Sequence, residues 1–376
     1  MTRLFVIAGE PSGDRLGAAL IRGLRTLEPA VELHGIGGPE MIAEGFESLF
    51  PMETLSVMGL AEVVPRLPDL FRRRDAAVAA IADLRPDALV TIDSPDFCLR
   101  VAWKARAARV DLPTIHYVAP SVWAWRAGRA AKMARVVDHV LALLPFEPPF
   151  MEAAGMSCDF VGHPVVADPQ ASEAERAAFR AEAGGEVALV LPGSRRGEVT
   201  RLAPIFGAAL ERLPEGTRVV VPVVPHLEQT VRDLIRTWPG DPMLVTDPVR
   251  KRAAFGAARA ALAASGTVSL ELAAADTPMV IAYDMNWLSR QIVSRMLKVD
   301  TVTLVNLIAG RKVVPEFLGP ACRPGPIGEA FARLISVPSE RDAQAAALDG
   351  AMTALGRSGA APGLRAARSV MAHLSK

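Results

Sequence analysis

Short apolar runs alternate along the chain with stretches in which apolar residues recur every three or four positions. The first run, LFVIA at residues 4–8, carries no charge and is too short for a helix, as expected of a strand buried on both faces. Behind it Leu16, Leu20, Leu24 and Leu27 return at helical steps and mark one apolar stripe. The same pattern predicts further strands at residues 32–36, 88–92, 114–118 and 139–143, with helices between most of them. A second series opens at residues 187–191, and its first helix carries the stripe Leu202, Ile205, Phe206, Ala209, Leu210 and Leu213. Strands are then predicted at residues 218–224, 243–245, 259–263 and 279–283. Alternation of this kind is the pattern of parallel sheets covered by helices.

Between the two series, residues 162–183 are polar and contain Pro164 and Pro169, which reads as a hinge. The chain has 376 residues; at roughly 100 to 200 residues per domain, two domains are expected. They are placed at residues 1–164 and 165–338, followed by Ala-rich closing helices at 339–376 that are free to pack back on the first domain. The fold class is thus α/β, two doubly wound parallel sheets in series. Ligands of such sheets bind beyond the carboxyl ends of the strands, so the active site is expected in a cleft between the domains.

Composition narrows the function. A chain that is 51% hydrophobic and 22% charged lies outside the regime of disorder. With 42 Lys and Arg against 41 Asp and Glu, no global field attracts nucleic acid, and any anion site is local. Cys98, Cys158 and Cys322 are odd in number and widely spaced, which fits a reducing cytoplasm better than a disulfide scaffold. The opening apolar run is too short for a signal segment, and no stretch of about 18 apolar residues exists to span a bilayer.

Polar loops directly after predicted strands carry the candidate chemistry. Gly9-Glu10-Pro11-Ser12-Gly13-Asp14 leads from the first strand into a helix; its amides suit an anion or a sugar oxygen, and Ser12 or Asp14 could equally cap the helix. Asp93 and Asp96 stand three apart after another strand, as a base with its orienter or as helix caps. The loop from His116 to Arg126 carries Trp123 and Trp125, which suit a sugar ring, an acyl chain or a core. In the second series, Gly193, Ser194 and Arg195 precede the striped helix, and amides with an Arg fork suit a pyrophosphate. Ser265, Gly266 and Thr267 follow a later strand in the same way, with Glu271 one turn on, within reach of a ribose diol. No two Asp residues stand two apart, and the six His show no metal-ligand spacing, so no metal or other cofactor is expected. Ser12 lacks the G-x-S-x-G setting of a hydrolase nucleophile.

Taken together the loops resemble the lipid-A-disaccharide synthase family. The matching segments run in order through GEPSGD (9–14), VMGLAEV (57–63), IDSPDF (92–97), IHYVAPSVWAWR (115–126), LPFE (144–147), FVGHP (160–164), LPGSRRGEV (191–199), ASGTVSLE (264–271) and LVNLIAGR (304–311). The chain departs from the pattern at Arg323-Pro324-Gly325, where many relatives are expected to carry Gln after the proline, so no role is carried to that position.

The resemblance implies a GT-B fold of two Rossmann-like domains and an inverting, metal-independent glycosyl transfer. A 2,3-diacylglucosamine unit would move from its UDP derivative to 2,3-diacylglucosamine 1-phosphate, giving a lipid A disaccharide 1-phosphate and UDP. It places the catalytic base on Asp93, with Glu10 as the alternative or orienter, and substrate contacts on Ser12, Asp14, Asp96 and Asn306. UDP falls to Gly193, Ser194, Arg195, Ser265, Gly266, Thr267 and Glu271. Peripheral attachment to the cytoplasmic face of the inner membrane is implied, and the apolar stretch 57–71 beside Arg72, Arg73 and Arg74 is the expected docking patch. A homodimer is left open. The rival readings are a UDP-sugar epimerase of the same fold and a non-catalytic nucleotide-sugar binding protein.

Overall fold

The computed structural model of the chain describes residues 1–55, 60–124, 128–239, 242–285 and 299–375. The chain divides into two units, Met1–Ala167 with Ser358–Lys376, and Asp168–Arg357. The first is built on seven parallel strands: β1 (Arg3–Ala8), β2 (Glu32–Ile36), β3 (Glu47–Ser48), β4 (Ala88–Ile92), β5 (Thr114–Tyr117), β6 (His139–Ala142) and β7 (Ser157–Phe160). Their order is β3-β2-β1-β4-β5-β6-β7. The second has six parallel strands: β8 (Glu186–Leu191), β9 (Thr217–Pro222), β10 (Met243–Val245), β11 (Ala260–Ala263), β12 (Met279–Tyr283) and β13 (Glu316–Leu318), in the order β10-β9-β8-β11-β12-β13.

The run LFVIA is unbroken because both of its faces are covered. Leu4, Val6 and Ala8 share a core with Leu16, Leu20 and Leu24 of helix Pro11–Leu27 and with Ala366 and Val370 of helix Pro362–Leu374. Phe5 and Ile7 point the other way, into a core with Ala77, Ile81, Val101 and Ala102 of helices Leu60–Leu84 and Pro95–Ala108. In the second unit Ala188 and Val190 pack with Val199, Leu202 and Phe206 of helix Arg196–Ala209 and with Phe331 of helix Pro324–Ser336. Each large apolar side chain so buried contributes about 1.5 to 3 kcal/mol.

The closing segment is shared between the units. Helix Pro338–Ala354 belongs to the second, whereas Pro362–Leu374 lies across Pro11–Leu27 in the first. The crossing is tight enough to require glycine: a Cβ on Gly363 would stand 2.3 Å from the Ala19 carbonyl oxygen. Ser369 ties the same helix to the sheet, donating to Asp159 Oδ2 at 2.6 Å and pairing with His139 Nε2 at 2.7 Å.

In both sheets the strand order reverses between two neighbouring strands, β1 and β4 in one, β8 and β11 in the other. Ala8 pairs with Ile92, and Leu191 with Ala263, so the chain leaves each pair at the same level. The loops 9–14 and 93–96 therefore emerge side by side, and so do 192–195 and 264–267. This is where open α/β sheets bind ligands.

Candidate active site

Asp93 and Ser94 follow β4 with φ of 53° and 42°, two successive non-glycine residues in the left-handed region. Such residues cost about 1 to 3 kcal/mol each and concentrate at functional sites. The strain is held by defined bonds. The Asp93 amide donates to the Tyr117 carbonyl at 2.9 Å, Ser12 Oγ donates to Asp93 Oδ2 at 3.1 Å, and Ser94 Oγ donates to Glu10 Oε1 at 3.2 Å. Each of the two carboxylates is thus gripped by a serine from the opposite loop. Val118, a β-branched residue with φ of 89°, adds a third strained position after the neighbouring β5.

The capping alternative fails at both loops. Glu10 is the N-cap of helix Pro11–Leu27 and Ser94 that of Pro95–Ala108, and neither helix end receives a side-chain cap. Asp96 lies exposed in the first turn of its helix. Asp14 corrects the expectation of a substrate contact. It is 2% exposed, and its carboxylate accepts the amides of Gly38, Glu40 and Met41 at 2.8, 2.8 and 3.0 Å, where it anchors the start of helix Pro39–Ala43. Both of its oxygens are engaged by that backbone, Oδ1 twice and Oδ2 once. His116 is likewise internal, paired with Thr91 Oγ1 at 2.7 Å, and burial lowers its pKa to about 4.

The loops after β5 and β6 meet through a residue that the sequence reading passed over. Glu147 is 4% exposed and accepts the amides of Leu143 and Leu144 at 3.1 and 2.9 Å and the Trp123 indole N–H at 3.3 Å. The Trp123 ring stands edge-on to Phe146, 5.2 Å between centroids. Trp125 and Arg126 lie outside the described residues. Burial raises the Glu147 carboxyl to about 7, against the pull of its three N–H donors. An unfolded Glu titrates near about 4.3, so between roughly pH 5 and 7 the native state retains a proton that the unfolded chain has lost. Stability then falls as pH rises through that window. Urea unfolding of the wild type and Glu147→Gln at pH 5, 6 and 7 checks this: the wild type should lose up to a few kcal/mol relative to the variant. Parallel pH profiles would show that Glu147 is ionised throughout.

In the second unit the loop after β8 closes on Glu198. Gly193 has φ of 127°, and a Cβ there would lie 2.8 Å from Glu198 Cβ, so both the turn and the contact require glycine. Arg195 is the N-cap of helix Arg196–Ala209, with its side chain 69% exposed. Its Nη1 donates to Glu198 Oε1 at 3.1 Å, and the exposed Ser194 donates its amide to Glu198 Oε2 at 3.3 Å. Beside it, after β11, Ser265 is half-buried and Gly266 and Thr267 are exposed, Gly266 with φ of 152°. Glu271 carries a partner that the sequence did not disclose, the Lys251 ammonium at 2.8 Å.

Asn306 is the second correction. It is 1% exposed, its Oδ1 accepts the amides of Val313 and Val314 at 2.9 and 2.8 Å, and its Nδ2 donates to the Val314 carbonyl at 3.0 Å and to Thr301 Oγ1 at 3.2 Å. An amide with both ends used knits the 301–314 segment together and has nothing left for a substrate.

Two parallel-sheet α/β units, each with a pair of polar loops at its switch point, make up the architecture of the GT-B class. The solved structure of a putative UDP-N-acetylglucosamine 2-epimerase from Listeria monocytogenes has this fold, with a TM-score of 0.67 at 15% identity, covering 99% of this chain and 96% of its own. The Lipid-A-disaccharide synthetase family model matches residues 4–359. The chain is 59% identical to the lipid-A-disaccharide synthase of Ruegeria pomeroyi, over all of this chain and 96% of that protein. With the lipid-A-disaccharide synthase of Rhodospirillum centenum it shares 48% identity, over 99% of this chain and 95% of that one. The chain belongs to the lipid-A-disaccharide synthase family and is a glycosyltransferase of lipid A biosynthesis. That relation favours transfer over the epimerase and binding-protein readings.

Proposed function

We propose that the chain transfers 2,3-diacylglucosamine from UDP-2,3-diacylglucosamine to the 6-hydroxyl of 2,3-diacylglucosamine 1-phosphate, with inversion. Asp93 takes the hydroxyl proton as the oxygen attacks the anomeric carbon, and the bond from that carbon to the UDP oxygen breaks. Glu10 and Ser12 hold the base side, and Asp96 faces the acceptor from the first turn of its helix. What supports this most is the strained pair Asp93 and Ser94, cross-linked to Ser12 and Glu10. UDP is received by the Gly193-Ser194-Arg195 loop, with Ser265, Gly266 and Thr267 beside it and Glu271 on the ribose. Charge growing on the leaving diphosphate is met by Arg195 and by backbone amides. The direct check is release of UDP: it should require both lipids together. Release from the donor alone, at the same rate, would remove the acceptor from the reaction.

Both substrates carry acyl chains, so the enzyme works against a bilayer surface, which we place at the cytoplasmic face of the inner membrane. Among the described residues no helix is long and apolar enough to cross a bilayer. Of the expected patch, residues 57–59 lie outside the described residues, while Phe71 is 40% exposed on helix Leu60–Leu84. Arg72 is the most exposed of the three arginines, at 79%, and pairs with Asp69 at 3.7 Å; Arg73 is bonded to the same Asp69 and Arg74 to Asp75. At about 1 kcal/mol per basic residue, Arg72→Ser should weaken co-sedimentation with anionic vesicles about fivefold at low salt. Equal sedimentation of variant and wild type would move the docking surface elsewhere.

A further inference from the structure

One carboxylate sits among the groups assigned to UDP with no part yet in the chemistry. Glu198 lies in the first turn of helix Arg196–Ala209, its side chain 17% exposed. Besides Arg195 and the Ser194 amide it accepts the Tyr283 hydroxyl on Oε1 at 3.2 Å. Tyr283 ends β12, which is separated from β8 by β11, so this bond passes over the carboxyl end of β11, where the Ser265-Gly266-Thr267 loop begins. The Glu198 carboxylate therefore links donors from both sides of the candidate diphosphate site.

We propose that Glu198 is a positioning residue for the nucleotide diphosphate: it holds the Ser194 amide, the Arg195 guanidinium and the Tyr283 hydroxyl in the arrangement that receives the phosphates. This rests on the UDP site proposed above. A carboxylate does not bind a diphosphate, but it can fix an exposed arginine that would otherwise have to be ordered on binding, a cost of about one immobilised side chain. The competing idea is that Glu198 is a stand-in anion, expelled when the nucleotide arrives. Against it stands Gly193, whose backbone lies directly on the Glu198 side chain, since a Cβ there would be 2.8 Å from Glu198 Cβ and 2.9 Å from Oε2. The loop is moulded on this residue.

Calorimetry with UDP on the wild type, Glu198→Ala, Glu198→Gln and Tyr283→Phe tests the proposal, together with steady-state kinetics. The alanine variant should bind UDP about tenfold more weakly and show a raised KM for the UDP-sugar, with kcat at saturating donor largely kept. Glutamine keeps the shape of the side chain and one acceptor oxygen for Arg195 and Tyr283 but turns an NH2 donor towards the Ser194 amide, so it should restore only part of the affinity. Tyr283→Phe, which removes one contact without truncating the loop, should weaken UDP in the same direction by a smaller factor. Tighter UDP binding in both Glu198 variants would overturn the proposal in favour of the stand-in anion, and unchanged affinity in all three variants would overturn it outright. Failure of the wild type to bind UDP would instead strike the UDP site itself.

Discussion

Asp93→Asn lowers turnover of the transfer by about 10²- to 10⁴-fold, the usual cost of losing a general base, and leaves UDP affinity unchanged. The substitution suits the site. Asparagine tolerates the left-handed backbone that Asp93 adopts at φ of 53°, and its Oδ1 can still accept from Ser12. What it loses is the capacity to take a proton. Rapid-quench or steady-state measurement at saturating donor and acceptor isolates that loss from binding. Retention of more than about a third of the wild-type rate lies far outside the expected range and would pass the role of base to Glu10. Glu10 is the next candidate on geometry, since it is exposed at the same switch point and held by Ser94.

Arg195→Ala weakens UDP binding by roughly 10- to 100-fold, because a charge-assisted bond to phosphate contributes about 1.5 to 3 kcal/mol. The Arg195–Glu198 pair sharpens this expectation. Removing the guanidinium strips the site of a cation and leaves the Glu198 carboxylate, still bonded to Ser194 and Tyr283, facing the incoming anion with less compensation. Calorimetry at two salt concentrations reads both effects, since the added repulsion is screened by salt. Unchanged affinity and unchanged turnover would reduce Arg195 to a surface partner of Glu198.

The central strands were legible because burial on both faces leaves them as unbroken apolar runs; β1, β4, β8 and β11 all sit where the pattern puts them. The strands that escaped, β3, β7 and β13, are all at sheet edges and are short or only partly buried, so their side chains carry no such run. The candidate loops could be read from polar residues after strands. Their side-by-side placement could not, because it depends on the strand order. Asp14 and Asn306 were read outward and point inward: in sequence a polar residue in a polar loop looks the same whether it serves a ligand or buried amides of its own backbone. Glu147 and Glu198 were hidden for the converse reason. Each stands in a motif that was noticed, LPFE and LPGSRRGEV, but the partners that define their work, Trp123 and Tyr283, are 24 and 85 residues away.

The measurement that bears most directly on the transfer is the structure of the product formed when the purified chain meets both lipids in excess EDTA. Mass spectrometry and proton NMR should find a disaccharide 1-phosphate whose new linkage runs from an inverted, β-configured anomeric carbon to the acceptor 6-oxygen, with one UDP released per linkage. A retained anomeric configuration, or an altered monosaccharide released with the acceptor untouched, would contradict the account.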